Sequence, residues 1–117
     1  MTPMHELSIA MSIVEMAEEE SAQRDARVNA VHVKLGKLAG VVKAALLSSY
    51  EVACEGTELE GSRLIIEELP IIVYCSACLV PRTLDSAQFF VCPQCKHPVS
   101  EVLQGRELEV FALEIDQ

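Results

Sequence analysis

The chain has 117 residues, half of them hydrophobic, and it carries no tryptophan and only five phenylalanines and tyrosines together. A chain of this size suits one domain, or one small domain with a smaller module, and its core must be largely aliphatic. The formal net charge is −9, so the chain lacks the basic surface that nucleic-acid binding requires. No apolar run approaches the ~20 residues of a membrane span, and no secretory signal is visible. We therefore expect a cytoplasmic protein whose thiols stay reduced.

The first half of the chain begins with a helical pattern followed by a strand pattern. Residues 6 to about 22 place apolar side chains at helical spacing, namely Leu7, Met11 and Val14, widened by Ala10, Ile13 and Ala17. Polar sequence ends this helix. Val31, Val33 and Leu35 then alternate with His32 and Lys34, as in a half-buried strand. Gly36 and Gly40 bracket a turn.

A second helix and two further strands follow. Residues 42–54 read as a helix with Leu46, Tyr50 and Ala53 on one face, and Leu64 to Leu69 as a strand that Pro70 ends. The last strand runs from Glu107 to Ile115, where Leu108, Val110 and Ala112 alternate with Glu107, Glu109 and Phe111. The pattern predicts an α+β fold in which two helices pack on a small three-stranded sheet. We expect one α/β domain from residues 1–72 and 104–117 and a second domain, from residues 73–103, inserted into it.

The inserted segment contains two Cys-x-x-Cys pairs, Cys75 with Cys78 and Cys92 with Cys95. Each pair can turn two sulfurs toward one ion, and four thiolates complete a tetrahedral zinc shell with no position open for water or substrate. The pattern therefore predicts a structural zinc site. Disulfides conflict with a reducing compartment. A rubredoxin-like iron site of an electron carrier, and a zinc-ribbon interaction module without transferable metal, remain as alternatives.

The other candidate ligands have simpler explanations. Cys54 lies in the second helix, where a lone cysteine is usually a small core residue. His97 follows Cys95 by two residues; it could replace a thiolate, but an exposed loop histidine is the more common case. His32 falls on the polar face of its strand and is expected to be exposed.

The segment Met4-His5-Glu6-Leu7-Ser8 places one histidine and one carboxylate at the start of the first helix. Taken alone, Glu6 is favoured there by the helix dipole, and an early histidine is normally exposed. No nucleophile–base pair, phosphate-binding loop or open catalytic metal site is visible along the chain, so an enzyme is not expected.

Four features follow one another along nearly the whole chain. They are the Met-His-Glu-Leu-Ser start, the "VHVKLGKLAGV" segment at 31–41, the "EVACEGTELEGSRLIIEELP" segment at 51–70 and the two cysteine pairs. Together they resemble the HypA/HybF family of nickel metallochaperones in [NiFe]-hydrogenase maturation. The resemblance implies transient Ni(II) at His5, Glu6 and Met4 and structural Zn(II) at Cys75, Cys78, Cys92 and Cys95. It also implies delivery to the hydrogenase large subunit with a nickel-handling GTPase. We expect a monomer or homodimer.

The start of the chain departs from the family pattern, in which the methionine is the first residue and offers a free amine. Met1-Thr2-Pro3 precede Met4 here. The Met4 nitrogen is then an amide, and Pro3 has no N–H to offer. We therefore expect His5 to be the firmest nickel ligand. If an amine at Met4 completes the nickel shell, removal of the three residues should tighten nickel binding; if His5 and the backbone nitrogens suffice, the two forms should bind nickel alike.

Overall fold

The computed structural model describes residues 3–116 and contains two helices and six strands. In chain order these elements are α1 (Pro3–Arg24), β1 (Arg27–Gly36), α2 (Lys43–Cys54), β2 (Arg63–Leu69), β3 (Ile71–Cys75), β4 (Val80–Leu84), β5 (Glu101–Gln104) and β6 (Leu108–Asp116). The strands form two separate three-stranded sheets, ordered β2-β1-β6 and β4-β3-β5. Neither described helix is long and apolar enough to cross a membrane.

Helix α1 starts earlier than the apolar spacing indicates and buries a face that is rotated from the predicted one. Its buried positions are Glu6, Ala10, Ile13, Val14, Ala17 and Ser21. Met11 is 56% exposed, so its assignment to the buried face is wrong. Ala10 and Ala17 belong to the same core cluster as Leu46 and Tyr50 of α2, so the buried stripe of α1 includes small side chains as well as large ones.

The first sheet places β1 at its centre, parallel to β2 and antiparallel to β6. The parallel pairing requires the crossover that α2 provides. Val31 and Val33 are fully buried under the helices. The predicted α+β fold, with two helices packed on a three-stranded sheet, is confirmed.

The register of β6 changes within the strand. His32 pairs with Ala112 and Val33 with Val110, so Phe111 is an extra residue in β6. Because of this β-bulge, the side chain of β6 that packs against the core after Val110 is that of Leu113, three residues later and not two. Ala112, which follows Val110 at strand spacing in the sequence, is therefore exposed.

Helix α2 completes the larger apolar cluster with a stripe at four-residue spacing, Leu46, Tyr50 and Cys54. Cys54, rather than the partly buried Ala53, ends the stripe. The Tyr50 hydroxyl and Ser62 Oγ lie 2.7 Å apart, so the buried phenol has a hydrogen-bond partner. We call these elements, α1, β1, α2, β2 and β6, the helix–sheet region.

The second sheet was not predicted. Its strands are four or five residues long, and Pro81 interrupts any simple apolar alternation in β4. β3 nevertheless alternates buried and half-buried residues along its length. Ile71, Val73, Leu84 and Val99 form a small core together with Cys75 and Cys92. We call residues 71–104 the cysteine region; the predicted domain boundaries at 73 and 103 stay a prediction.

The two regions meet at the turn after β1. Leu38 N donates to the carbonyl oxygen of Gly105 at 2.7 Å, and Lys37 N donates to that of Leu69 at 3.2 Å. A Cβ atom on Gly36 would lie 2.1 Å from the Gly105 oxygen. Glycine is therefore required at position 36 for the two backbones to approach, and Leu38 packs on the core of the cysteine region.

Candidate metal centres

Both cysteine pairs have the same local backbone. Leu79 N donates to the Cys75 carbonyl at 2.7 Å, and Lys96 N donates to the Cys92 carbonyl at 2.9 Å. The donating residue has a positive φ in each case, 61° at Leu79 and 65° at Lys96. Each Cys-x-x-Cys therefore closes a tight turn that directs its two sulfurs the same way. At the first turn, Cys78 N also donates to Cys75 Sγ at 3.3 Å.

The four sulfurs of Cys75, Cys78, Cys92 and Cys95 converge, with all ligand atoms within 4.8 Å of one another. Cys75 Sγ lies 3.6 Å from Cys95 Sγ, and Cys78 Sγ lies 3.9 Å from Cys92 Sγ. Sulfurs at the corners of a tetrahedron around zinc, with bonds of about 2.3 Å, would be separated by about 3.8 Å. All five cysteines are free thiols. The cysteine spacing thus identified four side chains that the fold brings to one point with metal-ligand geometry.

The thiols of this cluster differ in acidity. Backbone N–H groups, that of Cys95 first and that of Gln94 next, lower the pKa of Cys92 to about 6. At Cys95 a backbone hydrogen bond at His97 favours the thiolate, but burial and the neighbouring thiols outweigh it and raise its pKa to about 11. The backbone N–H groups of the second turn thus favour the thiolate form of Cys92. Binding of a divalent cation must displace the remaining protons.

His5 and Glu6, the two N-terminal candidate ligands described by the structure, differ in exposure to solvent. His5 is exposed in the first turn of α1, whereas Glu6 is only 1% exposed. Val42 N donates to Glu6 Oε2 at 3.2 Å. Val42 is the N-cap of α2 and has no side-chain cap of its own. The Glu6 carboxylate therefore serves the start of α2, a contact across 36 residues that local sequence does not reveal. The Met4 side chain and residues 1–2 lie outside the described residues.

The three other candidate ligands from the sequence, His32, Cys54 and His97, do not join the cysteine cluster. His32 is half-buried rather than exposed, because its Nε2 lies 2.7 Å from Glu114 Oε2 and its ring meets Phe111 edge-on. Cys54 is buried in the core, as predicted. His97 is exposed, and its carbonyl oxygen accepts the Cys92 N–H at 2.9 Å. Among the described residues, no grouping of three or more potential metal ligands occurs besides the four cysteines.

A groove lies between α1 and β6, and none of the candidate metal ligands lines it. It has a volume of about 500 Å³ and is lined by Ile9, Ser12, Ile13, Met16, Val33, Leu108, Glu109 and Val110. A single serine and a single carboxylate on an apolar lining do not form a nucleophile–base pair. The groove gives no reason to expect catalysis.

Two solved structures share this fold. The solution structure of a HypA protein aligns with a TM-score of 0.69 at 24% identity, covering 96% of each chain. The solution structure of the Ni metallochaperone HypA from Helicobacter pylori aligns with a TM-score of 0.62 at 23% identity, covering 94% of this chain and 96% of that chain.

Sequence comparison extends the likeness beyond the fold. Hydrogenase maturation factor HypA from Chloroflexus aurantiacus is 48% identical over 112 residues, covering 95% of this chain and 98% of the relative. That from a Roseiflexus species is 50% identical over 114 residues, covering 97% and 93%. The family described as "Hydrogenase/urease nickel incorporation, metallochaperone, hypA" matches residues 4–115. The chain therefore belongs to the HypA family of hydrogenase maturation factors, which are metallochaperones and not enzymes.

Proposed function

We propose that this protein is a nickel metallochaperone that binds Ni(II) at its N-terminal residues and delivers it for insertion into the [NiFe]-hydrogenase large subunit. A nickel-handling GTPase is the proposed partner in delivery, and the cytoplasm the proposed compartment. Membership of the HypA family over residues 4–115 is the observation that carries the proposal. The four clustered cysteines, which lie apart in the chain from the exposed His5, support it, because one site can hold a fixed ion while the other exchanges its cargo.

The four cysteines are the proposed site of structural zinc. The sulfur separations of 3.6 and 3.9 Å suit a tetrahedral ion, and four thiolates leave no coordination position open. Iron is the second candidate, because four thiolates bind it in the same geometry. Metal analysis of the purified protein separates the two. One equivalent of zinc in a colourless protein supports the proposal, whereas stoichiometric iron with strong visible absorption would favour an electron carrier.

His5, Glu6 and Met4 are the proposed nickel ligands. Imidazole suits Ni(II), as does planar nitrogen coordination, and the exposed ring of His5 is accessible to an incoming ion. The amide N–H groups of a helix's first turn lack acceptors within the helix, so backbone nitrogens there are also accessible. The Glu6 carboxylate is buried against Val42. We therefore propose that Glu6 contributes its backbone nitrogen to the nickel site, while its side chain fixes the start of α1 against α2.

Replacement of His5 by alanine tests the nickel site. His5→Ala should abolish specific nickel binding, measured by calorimetry, while the protein keeps one equivalent of zinc, because the two sites share no ligand. His32→Ala is the matched control, since His32 lies on the first sheet and pairs with Glu114. Equal nickel affinity in wild type and His5→Ala would reject the assignment.

Glu6→Gln separates the two roles of Glu6. The glutamine amide oxygen can still accept the Val42 N–H, so nickel affinity should stay close to that of wild type. Glu6→Ala removes the charged acceptor of the part-buried Val42 N–H hydrogen bond, which costs about 1–3 kcal/mol of stability. A folded Glu6→Gln variant that no longer binds nickel would instead make the carboxylate a ligand.

Delivery is tested by transfer of nickel between purified proteins. Nickel-loaded chaperone, mixed with nickel-free hydrogenase large subunit and then separated by size, should pass nickel to the large subunit. The GTPase should accelerate this transfer. Transfer at the rate of free nickel under the same conditions would contradict a chaperone role.

A further inference from the structure

Arg82 is the one basic side chain that the second sheet directs toward the four cysteines. In the β3–β4 pairing Arg82 lies opposite Val73, and Val80 lies opposite Cys75. Cross-strand partners project from the same face of a sheet. Val73 and Cys75 are both fully buried, so Arg82 projects from the face that carries the small core and the first cysteine. An apolar residue would be expected at this position.

The surroundings of the Arg82 guanidinium are unusual. The pKa of the Arg82 guanidinium is raised, chiefly by the neighbouring Cys78 thiol and then by that of Cys92. Its Nε atom is buried, yet it has no hydrogen-bond partner within residues 3–116. A buried donor without a partner costs free energy unless an acceptor is supplied. The structure therefore holds an arginine against sulfurs that are, as thiols, only weak acceptors.

We propose that Arg82 is a positioning residue for the four-thiolate metal site, donating N–H···S hydrogen bonds to metal-bound Cys78 and Cys92 and offsetting their negative charge. This inference rests on the proposed metal site.

Electrostatics gives the reason for a cation at this place. Four thiolates around a divalent ion carry a net charge of −2, and the whole chain already carries −9. Arginine keeps its charge at any working pH and presents several N–H groups in a fixed plane, so it can serve two sulfurs at once. The sulfurs become strong acceptors when they are thiolates, and charge-assisted hydrogen bonds are about twice as strong as neutral ones.

The other nearby cation does not duplicate this role. Lys96 follows the fourth ligand directly, but its Nζ donates to the Pro93 carbonyl at 3.3 Å and the side chain is exposed. Arg82 is thus the cation that should raise the metal affinity of the four-cysteine site.

The test compares Arg82→Gln, Arg82→Lys and a control with the same change of charge, Arg63→Gln, whose side chain is 67% exposed on the other sheet. Zinc affinity is measured by competition with a chromophoric chelator. Loss of an outer partner of a metal ligand typically weakens binding about 10–100-fold. Arg82→Gln should show a loss in this range, Arg82→Lys a smaller one, and Arg63→Gln none.

A spectroscopic readout distinguishes charge from packing. In the Co(II)-substituted proteins, hydrogen bonds to the thiolates lower the energy of sulfur electrons, so Arg82→Gln should shift the sulfur-to-cobalt charge-transfer band to longer wavelength. Zinc affinity of Arg82→Gln within twofold of wild type would overturn the inference. So would equal losses in the glutamine and lysine variants with an unshifted band. Failure of the wild-type protein to bind one equivalent of metal would overturn the proposed metal site itself.

Discussion

The helix–sheet region and the cysteine region have similar numbers of strands but are held together by different interactions. Twelve buried residues form the core of the helix–sheet region, eleven from the two helices and the first sheet and one, Leu59, from the turn between α2 and β2. Six form the core of the cysteine region, and two of these are the cysteines Cys75 and Cys92. Burial of aliphatic surface can stabilise the first region without a ligand. In the second, ligand bonds must replace the missing core, and binding free energy becomes folding free energy.

The largest expected effect comes from removing a thiolate. Cys75→Ser should weaken metal binding by more than the ~100-fold that loss of an outer partner costs, and amide hydrogen exchange should accelerate across residues 71–104. The helix–sheet region should keep its protection, because its core contains none of the four ligands. Hydrogen exchange by mass spectrometry measures both regions in one sample.

Cys54→Ala is the matched control for this comparison. Cys54 is the fifth cysteine and lies in the core of the helix–sheet region, so its replacement should leave metal content unchanged and loosen only that region. Unchanged protection of residues 71–104 in metal-free Cys75→Ser would show that the small core suffices alone. The contrast between the two regions would then fail.

The next effect concerns the junction. Gly36→Ala places a Cβ 2.1 Å from the Gly105 carbonyl oxygen, and backbone cannot move away as a side chain can. Overpacking of this kind costs about 1–3 kcal/mol. We expect a lower denaturation midpoint and, in small-angle scattering, a changed separation of the two regions.

Gly56→Ala separates the clash from backbone strain. Gly56 has a φ of 75° but no atom near its would-be Cβ, so alanine there strains the backbone without pushing two segments apart. It should lower stability by about 1 kcal/mol and leave the scattering profile unchanged. A Gly36→Ala protein with wild-type stability and scattering would mean that the junction adapts freely.

A smaller effect should follow from the buried phenol of Tyr50. Tyr50→Phe removes the 2.7 Å contact with Ser62 and should cost about 1 kcal/mol near neutral pH. Burial raises the pKa of Tyr50 well above its usual value. The stability that Tyr50 contributes is therefore fully present below pH ~10. It is lost as the pH rises further, because the Tyr50 phenol ionises at a lower pH in the unfolded chain than in the folded protein.

Chemical denaturation between pH 8 and 11 measures this dependence. Stability of Tyr50→Phe should fall less steeply above pH ~10 than that of wild type. Some slope should remain, because burial also raises the pKa of Cys54. Tyr74→Phe, in the second sheet, is the control that leaves Tyr50 in place. Parallel curves for wild type and Tyr50→Phe would contradict the burial argument.

What the sequence could predict follows the same division between regions. Apolar periodicity located both helices and the three strands of the first sheet, because their side chains pack on one large core. The sequence did not predict the bulge at Phe111, because the apolar and polar residues of β6 alternate regularly and only the pairing with β1 shows the change of register. In the cysteine region the paired spacing identified all four converging thiols, but the strands were missed, because short strands with one small core produce little periodicity. The contact between Glu6 and Val42 and the placement of Arg82 depend on tertiary pairing alone.

The smallest expected effect tests whether turn geometry limits the cysteine region. Lys96 has a φ of 65°, a conformation that costs a non-glycine residue about 1–2 kcal/mol. Lys96→Gly should relieve this strain, and it should also increase the entropy of the unfolded chain, so the net gain is expected at below about 1 kcal/mol. Lys96→Ala keeps the strained φ while removing the charge, and should show no gain.

Because Leu79 occupies the same place in the other turn with a φ of 61°, Leu79→Gly should give a similar gain. The gain should appear in denaturation of the metal-loaded protein and in exchange at residues 71–104, with no change in the helix–sheet region. Glycine variants no more stable than Lys96→Ala would mean that the metal shell, and not the turns, sets the stability of this region.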